Sequence, residues 1–528
     1  MNWFDDAIIY HVYPLGFCGA PKFSDESDSV AYRLDKILMW IPHLKEMNVD
    51  AVHFGPVFES VEHGYDTIDY KSIDRRLGDN NSFRYICDRL HEKGIRVILD
   101  GVFNHVGRKF PQFVDIQQNG QNSKYISWFQ NLNFGGQSPY GDHFWYDGWN
   151  GHYNLVKLNL RNPEVCDYLI DAIGYWIDSF GIDGLRLDAA DCIDFDFFKR
   201  IRSFCKSKKP DFWLMGEIIH GDYNRWANPE MLDSVTNYEC YKGLYSSHND
   251  KNYFEIDYSI NRQSGRNGGI YRNINLYNFV DNHDVNRLAS TLSNQAHLPL
   301  VYTLLYTMPG IPSVYYGSEY GILGRKENNS DDNLRPCLHL QDMESQNTSL
   351  YRHIVKLGRI YRAYPPIRTG EYERIAITNQ QLLFKKTLDG QTVYVALNLS
   401  EQEYIFKFDT HMNHLVDVLS SSPLPVENGT ATVKMMPYSS MIIVYDDIVN
   451  FDADLNEKDK EEDTELVIGG KYRHFKGNEY EVLAVARHSE TMEELVIYKS
   501  LSYGDVWARP KAMFTGKSGD VNRFTRIE

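Results

Sequence analysis

The chain has 528 residues, of which 42% are hydrophobic and 14% aromatic, and its formal net charge is −17. This length exceeds one compact domain, so we expect two to four domains. The acidic balance argues against nucleic acid and anionic membrane surfaces as partners.

The N-terminal stretch MNWFDDAIIYHVYP has no basic segment followed by an apolar run, so we expect no signal peptide. The seven cysteines are odd in number and widely spaced, which is typical of neither a disulfide framework nor a zinc site. Residues 297–318 lack charged side chains, but their prolines and glycine indicate a core segment rather than a membrane span. We therefore expect a reduced, cytoplasmic protein.

Eight short apolar runs recur along the chain, most of them separated by amphipathic helical patterns. In order they are AIIYHVYPLGF, AVHFGPV, RVILDGVFNH, GLRLDAA, FWLMGEI, SVTNYE, LYNFVDNHD and SVYYGSE. Repeated strand–helix units predict a parallel sheet, and eight of them predict a closed (β/α)8 TIM barrel of the α/β class. We assign residues 1–106 and 158–366 to this barrel.

The remaining segments differ from the barrel in composition. Residues 107–157 are rich in glycine, asparagine and aromatic residues, which predicts an inserted subdomain after the third strand. Short alternating runs predict an all-β domain over 367–447. The acidic run in 448–464 predicts a solvated linker, and 465–528 predicts a small C-terminal β module.

Three carboxylates follow different strands of the predicted barrel: Asp188 the fourth, Glu217 the fifth and Asp284 the seventh. The carboxyl ends of barrel strands carry the active site in this fold, so we expect the three groups to meet. Carboxylates brought together repel each other, so at least one must bind a proton or find a cation.

Arg186 precedes Asp188 by two residues and therefore lies on the same face of its strand. We expect it to hold Asp188 ionised and to leave Glu217 as the carboxyl with a raised pKa. An ionised nucleophile beside a protonated acid is the requirement of retaining glycoside hydrolysis, with the two carboxyls about 5–5.5 Å apart. His105 and His283 suit hydrogen bonding to sugar hydroxyls.

Metal binding is the alternative for this cluster, because Asp, Glu, His and Asn side chains are also ligands for hard cations. The sequence lacks the closely spaced histidine pairs typical of metal-assisted hydrolases in barrels. We therefore favour glycoside chemistry over metal chemistry.

The motifs DGVFNH, GLRLDAAD, GEIIH and FVDNHD, each at a predicted strand end, resemble those of the α-amylase family in sequence and order. HGYDTIDY and GIPSVYYGSE extend this resemblance over roughly residues 1–447. It implies that Asp188 is the nucleophile, Glu217 the general acid/base and Asp284 the carboxylate that stabilises the transition state. The side chains that it implies around the attacked glucose are Tyr65, His105, Arg186, His283, Asp332 and Arg335.

Residues 155–159, LVKLN, resemble a signature of the neopullulanase, cyclomaltodextrinase and maltogenic amylase branch, and so do VTNYE and the Ile-Ile-His that follows Glu217. The implied activity is hydrolysis of α-1,4 bonds in maltooligosaccharides, and the implied partners are α-glucan oligosaccharides. A glucosyl transferase of the same family shares these motifs and remains an alternative. A third hypothesis is a non-catalytic scaffold that binds glucan or protein. Loss of any of the three carboxylates would favour it, and all three are present.

The resemblance implies no required cofactor. Secreted calcium-dependent members of the family carry Lys-His shortly after the nucleophile, where this chain has Asp191 and Cys192. Asn104 remains as the candidate calcium ligand.

Residues 465–528 resemble a small uncharacterised bacterial family through YRHFKG, YEVL, ARHSET, YKSL and WARP. That resemblance implies no function. The aromatic residues Tyr472, Phe475, Tyr480 and Trp507 are candidates either for core packing of a small β-barrel or for binding sugar or a protein.

Overall fold

The computed structural model describes residues 2–527 apart from 26, 328–329, 344–346, 446–450, 452–465, 476, 489–493 and 519–520. The chain divides into two compact units, residues 1–451 and 452–528. The predicted acidic linker, 448–464, lies outside the described residues except for Phe451.

Eight strands form one parallel sheet; seven lie within the apolar runs of the sequence, and the last begins two residues before its run, at Ile311. They are β1 (Ile9–Val12), β2 (Ala51–Phe54), β3 (Arg96–Gly101), β4 (Gly184–Leu187), β5 (Trp213–Gly216), β6 (Ser234–Val235), β7 (Tyr277–Phe279) and β8 (Ile311–Tyr315). Strand β8 pairs with β1, and a bridge between Thr236 and Tyr277 joins β6 to β7. The sheet therefore closes on itself, and the predicted (β/α)8 barrel is confirmed.

Helices connect most of the strands, and side chains fix where they begin. The Asp79 carboxylate accepts from Ser82 N at the start of one helix, and Asn162 accepts from Glu164 N at the start of another. The α-helices of this unit are Pro14–Phe17, Ile41–Glu46, Asn80–Glu92, Pro111–Asn119, Pro163–Phe180, Phe195–Lys208, Tyr238–Asn249, Tyr253–Ser264, Leu288–Thr291, Leu298–Thr307, Leu340–Met343, Thr348–Ala363 and Pro365–Thr369.

One end of the barrel is apolar, and the other is polar. A buried cluster includes the first residues of β1, β2 and β5, namely Ile9, Ala51 and Trp213. The charged side chains follow at the carboxyl ends of the strands. The apolar packing therefore holds the strands together without using the end where chemistry is expected.

The segment after β3 has its own secondary structure. Strands His105–Gly107, His152–Lys157 and Gly148–Trp149 form a small antiparallel sheet. After β2, Phe58–Ser60 and Thr67–Ile73 pair as a hairpin whose connection contains Tyr65. Both excursions start from strand ends at the polar side of the barrel.

Two antiparallel sheets follow the barrel and pack together through a shared core, which includes Leu383 and Ile443 of one sheet and Phe406 and Val433 of the other. The first sheet contains Glu371–Ile377, Gln381–Leu388, Gln391–Asn398, Ser439–Val444, Leu415–Asp417 and Ser422–Leu424. The second contains Tyr404–Asp409, Thr430–Met435 and Val426–Glu427.

The second compact unit contains a five-stranded antiparallel sheet and a short helix, Lys511–Thr515. Tyr472 is buried in its core, and Tyr480 packs against that core. Phe475 and Trp507 are exposed. The sheet strands are Val506–Pro510, Glu494–Ser500, Glu479–Arg487, Lys471–His474 and Phe524–Arg526.

In the described part of the chain, none of the helices combines enough length with enough apolar character to cross a lipid bilayer.

Lys386 is a buried cation in the strand Gln381–Leu388, with only 1% of its surface exposed. Its Nζ donates to the carbonyls of Ile367 and Arg368. Burial lowers the pKa of Lys386 to about 7. Between this value and the ordinary lysine pKa of about 10.4, the unfolded chain binds a proton that the native protein lacks, so stability rises with pH there.

We therefore expect Lys386→Met to be more stable than wild type at pH 7. The gap should shrink by about 1 kcal/mol per pH unit as pH rises to 9. Urea denaturation at each pH measures this difference. The matched control is Lys385→Met, which removes a half-exposed neighbour that pairs with Glu373. A gap that stays constant with pH would contradict the assignment.

Candidate active site

The polar end of the barrel brings the predicted carboxylates together. Asp100 in β3 stands in register with Arg186 in β4, and Arg186 stands in register with Met215 in β5. Asp188 follows β4 directly, and Glu217 follows β5 directly. Parallel strands in register thus deliver these side chains to one level of the barrel mouth.

The Arg186 guanidinium contacts three carboxylates, although only 3% of this residue is exposed. Its Nη1 lies 2.9 Å from Asp100 Oδ2 and 2.9 Å from Asp188 Oδ1, and its Nη2 lies 3.0 Å from Glu217 Oε1. Burial alone would lower the pKa of Arg186, but Asp100 and Glu217 raise it. One permanent positive charge is therefore shared among three acids.

Sharing the guanidinium changes the protonation expected of Asp188. Burial raises the pKa of Asp188 well above its usual range, Arg186 opposes this, and Glu217 and Asp100 add to the rise. The sequence analysis expects Arg186 to hold Asp188 ionised; in the free site the same cation also contacts two other acids, and its lowering effect on the pKa of Asp188 is outweighed by burial. Asp100 differs: burial raises its pKa, but Arg186 and His53 outweigh burial and lower it.

Glu217 is positioned by three neighbours. Besides Arg186, the Ala189 N–H donates to Oε2 over 3.2 Å, and the Tyr238 hydroxyl donates to Oε1 over 3.4 Å. Ala189 has a φ of 43°, a left-handed conformation that is unfavourable for alanine. Because of this turn, one residue after Asp188, the backbone N–H of Ala189 points towards Glu217, which follows the next strand. Sequence reasoning missed Ala189 and Tyr238 as contacts of Glu217.

Asp284 lies beyond β7 with a different set of partners. His283 Nε2 is 3.0 Å from Oδ2, and Arg335 Nη2 is 3.0 Å from Oδ1. Burial acts to raise the pKa of Asp284, but His283 and Arg335 outweigh it and hold this pKa far below the usual range. Asp284 is therefore an ionised carboxylate, distinct from the group around Arg186.

Arg335 has an ion-pair partner next to the predicted one. Arg335 Nη2 lies 3.1 Å from Asp331 Oδ2, one helical turn earlier in the chain, whereas Asp332 is exposed. The predicted grip of Asp332 and Arg335 on glucose stays a prediction, and Asp331 is a further candidate beside Arg335. The sequence alone does not indicate which of the two adjacent aspartates faces Arg335, because the loop has no periodic pattern that would assign side chains to a face.

His105 and Tyr65 complete the barrel mouth. His105 is buried, its Nε2 lies 3.9 Å from Asp188 Oδ2, and that nitrogen has no hydrogen-bond partner among the described residues. Burial lowers the pKa of His105 to about 3, so its ring is neutral. The Tyr65 hydroxyl donates to Asp100 Oδ2 over 3.1 Å, and its ring stacks on His283.

Asn104, the candidate calcium ligand, is buried with its Nδ2 3.1 Å from His105 Nδ1. Its amide therefore orients the His105 ring. Asp191 and Cys192 are exposed. Within the ranges that the structure describes, no group of three or more His, Cys, Asp and Glu side chains is arranged to hold a metal ion. The Asn104 amide is engaged with His105, and we assign calcium no chemical step.

Comparison with family models identifies three segments. Residues 20–353 match the alpha amylase catalytic domain, and residues 372–442 match the maltogenic amylase C-terminal domain. Residues 470–526 match a protein of unknown function (DUF1653).

Individual relatives agree with these matches. The chain is 30% identical over 466 residues to a cyclomaltodextrinase of Geobacillus thermopakistaniensis, covering 84% of this chain and 77% of the relative. It is 30% identical to the intracellular maltogenic amylase of Bacillus subtilis, over 75% of this chain and 69% of the relative. A solved cyclomaltodextrinase structure superposes with a TM-score of 0.75 at 27% identity, covering 84% and 78% of the two chains.

The two neighbouring aspartates offer a matched test of the Arg335 contact. We expect Asp331→Asn to lower kcat/KM for maltotriose roughly tenfold, because a hydrogen bond between charged groups is weakened beside Asp284. Asp332→Asn should change kcat/KM less than twofold. Steady-state kinetics on both variants measures the difference, and equal effects would restore the sequence-based pairing.

Proposed function

The chain belongs to the α-amylase family of glycoside hydrolases, and from this premise we propose that it hydrolyses α-1,4-glucosidic bonds of maltooligosaccharides and maltodextrins, including cyclodextrins. The reaction is a double displacement that retains the α-configuration. The observation that carries this proposal is the Arg186 guanidinium, whose two terminal nitrogens contact Asp188 and Glu217.

In the first step, ionised Asp188 attacks the anomeric carbon while Glu217 donates its proton to the glycosidic oxygen. The carbon–oxygen bond to the departing sugar breaks, and a covalent glucosyl–Asp188 ester forms. Catalysis uses the state in which Asp188 is ionised and Glu217 holds the proton. The predicted separation of about 5–5.5 Å between the two carboxyls belongs to this mechanism.

In the second step, Glu217 is a carboxylate and removes a proton from water. The water oxygen attacks the anomeric carbon, and the bond to Asp188 breaks, which restores both acids. Asp284 stabilises the positive charge that develops on the sugar ring. Its own ionisation is favoured by Arg335 and His283, which supports this role.

Other side chains of the barrel mouth recognise the sugar hydroxyls. The buried Nε2 of His105 beside Asp188 is available for a sugar hydroxyl. Tyr65 offers a ring at the same place. His283, Asp331 and Arg335 hold the opposite side.

The domain assignment is part of the proposal. Residues 1–106 and 158–366 form the catalytic barrel, 107–157 cover the site as subdomain B, and 367–447 support it as an all-β domain.

The intracellular location named for the Bacillus subtilis relative suits an enzyme that acts on short maltodextrins.

Product analysis tests the reaction itself. Maltoheptaose and β-cyclodextrin should each yield maltose or glucose, and NMR of the first products should show the α-anomer. Glu217→Gln should lower kcat/KM by about 100- to 10,000-fold, the usual contribution of a general acid/base. The matched control is Glu230→Gln, an exposed glutamate that should keep wild-type rates. Release of the β-anomer, or equal activity of Glu217→Gln and wild type, would refute the mechanism.

The acid side of the pH profile tests the shared cation. Asp188 must be ionised to attack, and its pKa is raised, so kcat/KM should fall with decreasing pH well above the ordinary aspartate pKa of about 3.9. Asp100→Asn removes one of the charges that raise this pKa and should move the fall roughly one pH unit lower. Asp178→Asn, at an exposed helical position, is the control. An unmoved profile in Asp100→Asn would contradict the shared charge.

A further inference from the structure

Arg287 is a buried cation that the proposed reaction does not use. It lies three residues after Asp284, and its exposed fraction is 0%. Taking a guanidinium out of water is costly unless hydrogen bonds and opposite charge replace the water. The groups that Arg287 contacts therefore indicate what this residue fixes in place.

The Arg287 guanidinium donates to two segments of the chain. Its Nη1 donates to the Tyr316 carbonyl over 2.7 Å and to Ser318 Oγ over 3.0 Å, directly after β8. Ser318 Oγ in turn donates to the carboxylate of Asp281 over 2.8 Å, which places an opposite charge nearby. Its Nη2 donates to the Leu334 carbonyl over 2.9 Å. Arg287 therefore joins the end of β8 to the loop that contains Leu334.

The Leu334 carbonyl has a second donor. The Tyr315 hydroxyl, from the last residue of β8, donates to the same oxygen over 3.1 Å. The Tyr315 ring centre also lies 4.0 Å from the Arg287 guanidinium carbon, which orients the two donors against each other. A carbonyl oxygen has two lone pairs and can accept both bonds. The peptide between Leu334 and Arg335 is thus fixed at its oxygen by two buried side chains.

Close backbone packing fixes the same segment. A Cβ atom at Gly324 would lie 2.9 Å from Arg287 Cγ and 2.4 Å from the Asn333 carbonyl oxygen. A Cβ atom at Gly16 would lie 2.2 Å from the Arg335 carbonyl oxygen. Both positions require glycine for this close approach. The loop before Arg335 therefore packs tightly against Arg287.

The side chain of Arg335 reaches back to the segment after β7. Its Nη2 lies 3.0 Å from Asp284 Oδ1, and its Nε donates to the His283 carbonyl over 3.0 Å. Its guanidinium carbon lies 4.5 Å from the Tyr13 ring centre. Hydrogen bonds between charged groups weaken steeply when distance or angle departs from the optimum. A shift of the Leu334–Arg335 peptide would therefore weaken the contact between Arg335 and Asp284.

We propose that Arg287 is a positioning residue that acts through Arg335: it fixes the Leu334–Arg335 peptide and thereby holds the Arg335 guanidinium against Asp284. This inference rests on the proposed function, in which Asp284 stabilises the charge that develops on the sugar ring. Arg287 is fully buried and contacts no substrate. A residue that only stabilised the fold would affect the reaction to the same extent whether or not Arg335 is present.

A double-mutant cycle separates these two roles. Arg287→Lys keeps the positive charge but loses the planar fork that reaches two segments. It should lower kcat/KM for maltotriose about tenfold, the scale of a hydrogen bond to a charged group. In the Arg335→Gln background, the same substitution should lower kcat/KM by at most about twofold, because the guanidinium that it positions is gone.

The matched control is Arg362→Lys, at the opposite end of the barrel. Arg362 also donates to two backbone carbonyls, those of Asp6 and Asn48, which precede β1 and β2. Arg362→Lys should keep kcat/KM within about twofold of its parent in both backgrounds. Urea denaturation measures how much stability each variant loses.

Tyr315→Phe is a milder variant that keeps the proposal testable if Arg287→Lys does not fold. It removes only the second donor to the Leu334 carbonyl. It should lower kcat/KM about threefold, the scale of one neutral hydrogen bond, and again only when Arg335 is present.

Hydrogen exchange reads the same contact without any sugar. In Arg287→Lys and in Tyr315→Phe, residues 330–340 should exchange faster than in wild type, because the turn Asp332–Leu334 opens more often. Arg362→Lys should leave exchange in these residues unchanged.

Equal losses of kcat/KM with and without Arg335, or unchanged exchange in residues 330–340, would overturn the role of Arg287. If the wild type releases no sugar, the proposed function fails, and the exchange rates alone decide whether Arg287 positions Arg335.

Discussion

A buried arginine among three acids is the constraint on which the rest of the site depends. Removing ions from water costs several kcal/mol each, and this cost is recovered only if opposite charges and hydrogen bonds replace the water. Arg186 meets that condition for Asp100, Asp188 and Glu217 at once. The barrel must therefore hold β3, β4 and β5 in one register, because a slip of one residue would turn Arg186 away from the mouth.

Much of this arrangement could be predicted from sequence, because it follows from short-range periodicity. Alternation along β4 places Arg186 and Asp188 on one face whatever the rest of the chain does. The apolar runs give the strands, and parallel strands leave their carboxyl ends at one edge, which brings Glu217 to the same mouth. The (β/α)8 barrel and the meeting of these residues thus needed no knowledge of long-range contacts.

The remaining details depend on contacts between segments far apart in sequence. Whether Asp331 or Asp332 faces Arg335 is decided by the path of a loop without periodicity. The pKa of Asp188 depends on how many acids share Arg186, and Asp100 belongs to another strand. Tyr238 comes from the start of a helix after β6, and its only sequence signal is its place in the VTNYE motif. Motifs identify the residue types, whereas the folded neighbours set their charge states.

The orientation of Glu217 depends both on strand periodicity and on contacts between segments far apart in sequence. Its carboxylate is held by Arg186 of β4, by the strained Ala189 peptide after β4 and by Tyr238. Asn282, after β7, in turn donates to the Tyr238 hydroxyl over 3.3 Å. Residues after strands β4, β6 and β7 therefore contribute to the orientation of the Glu217 carboxylate. A ligand that displaces Tyr238 must loosen one of the hydrogen bonds that orient Glu217, so contacts at Tyr238 and the orientation of this carboxylate are physically coupled.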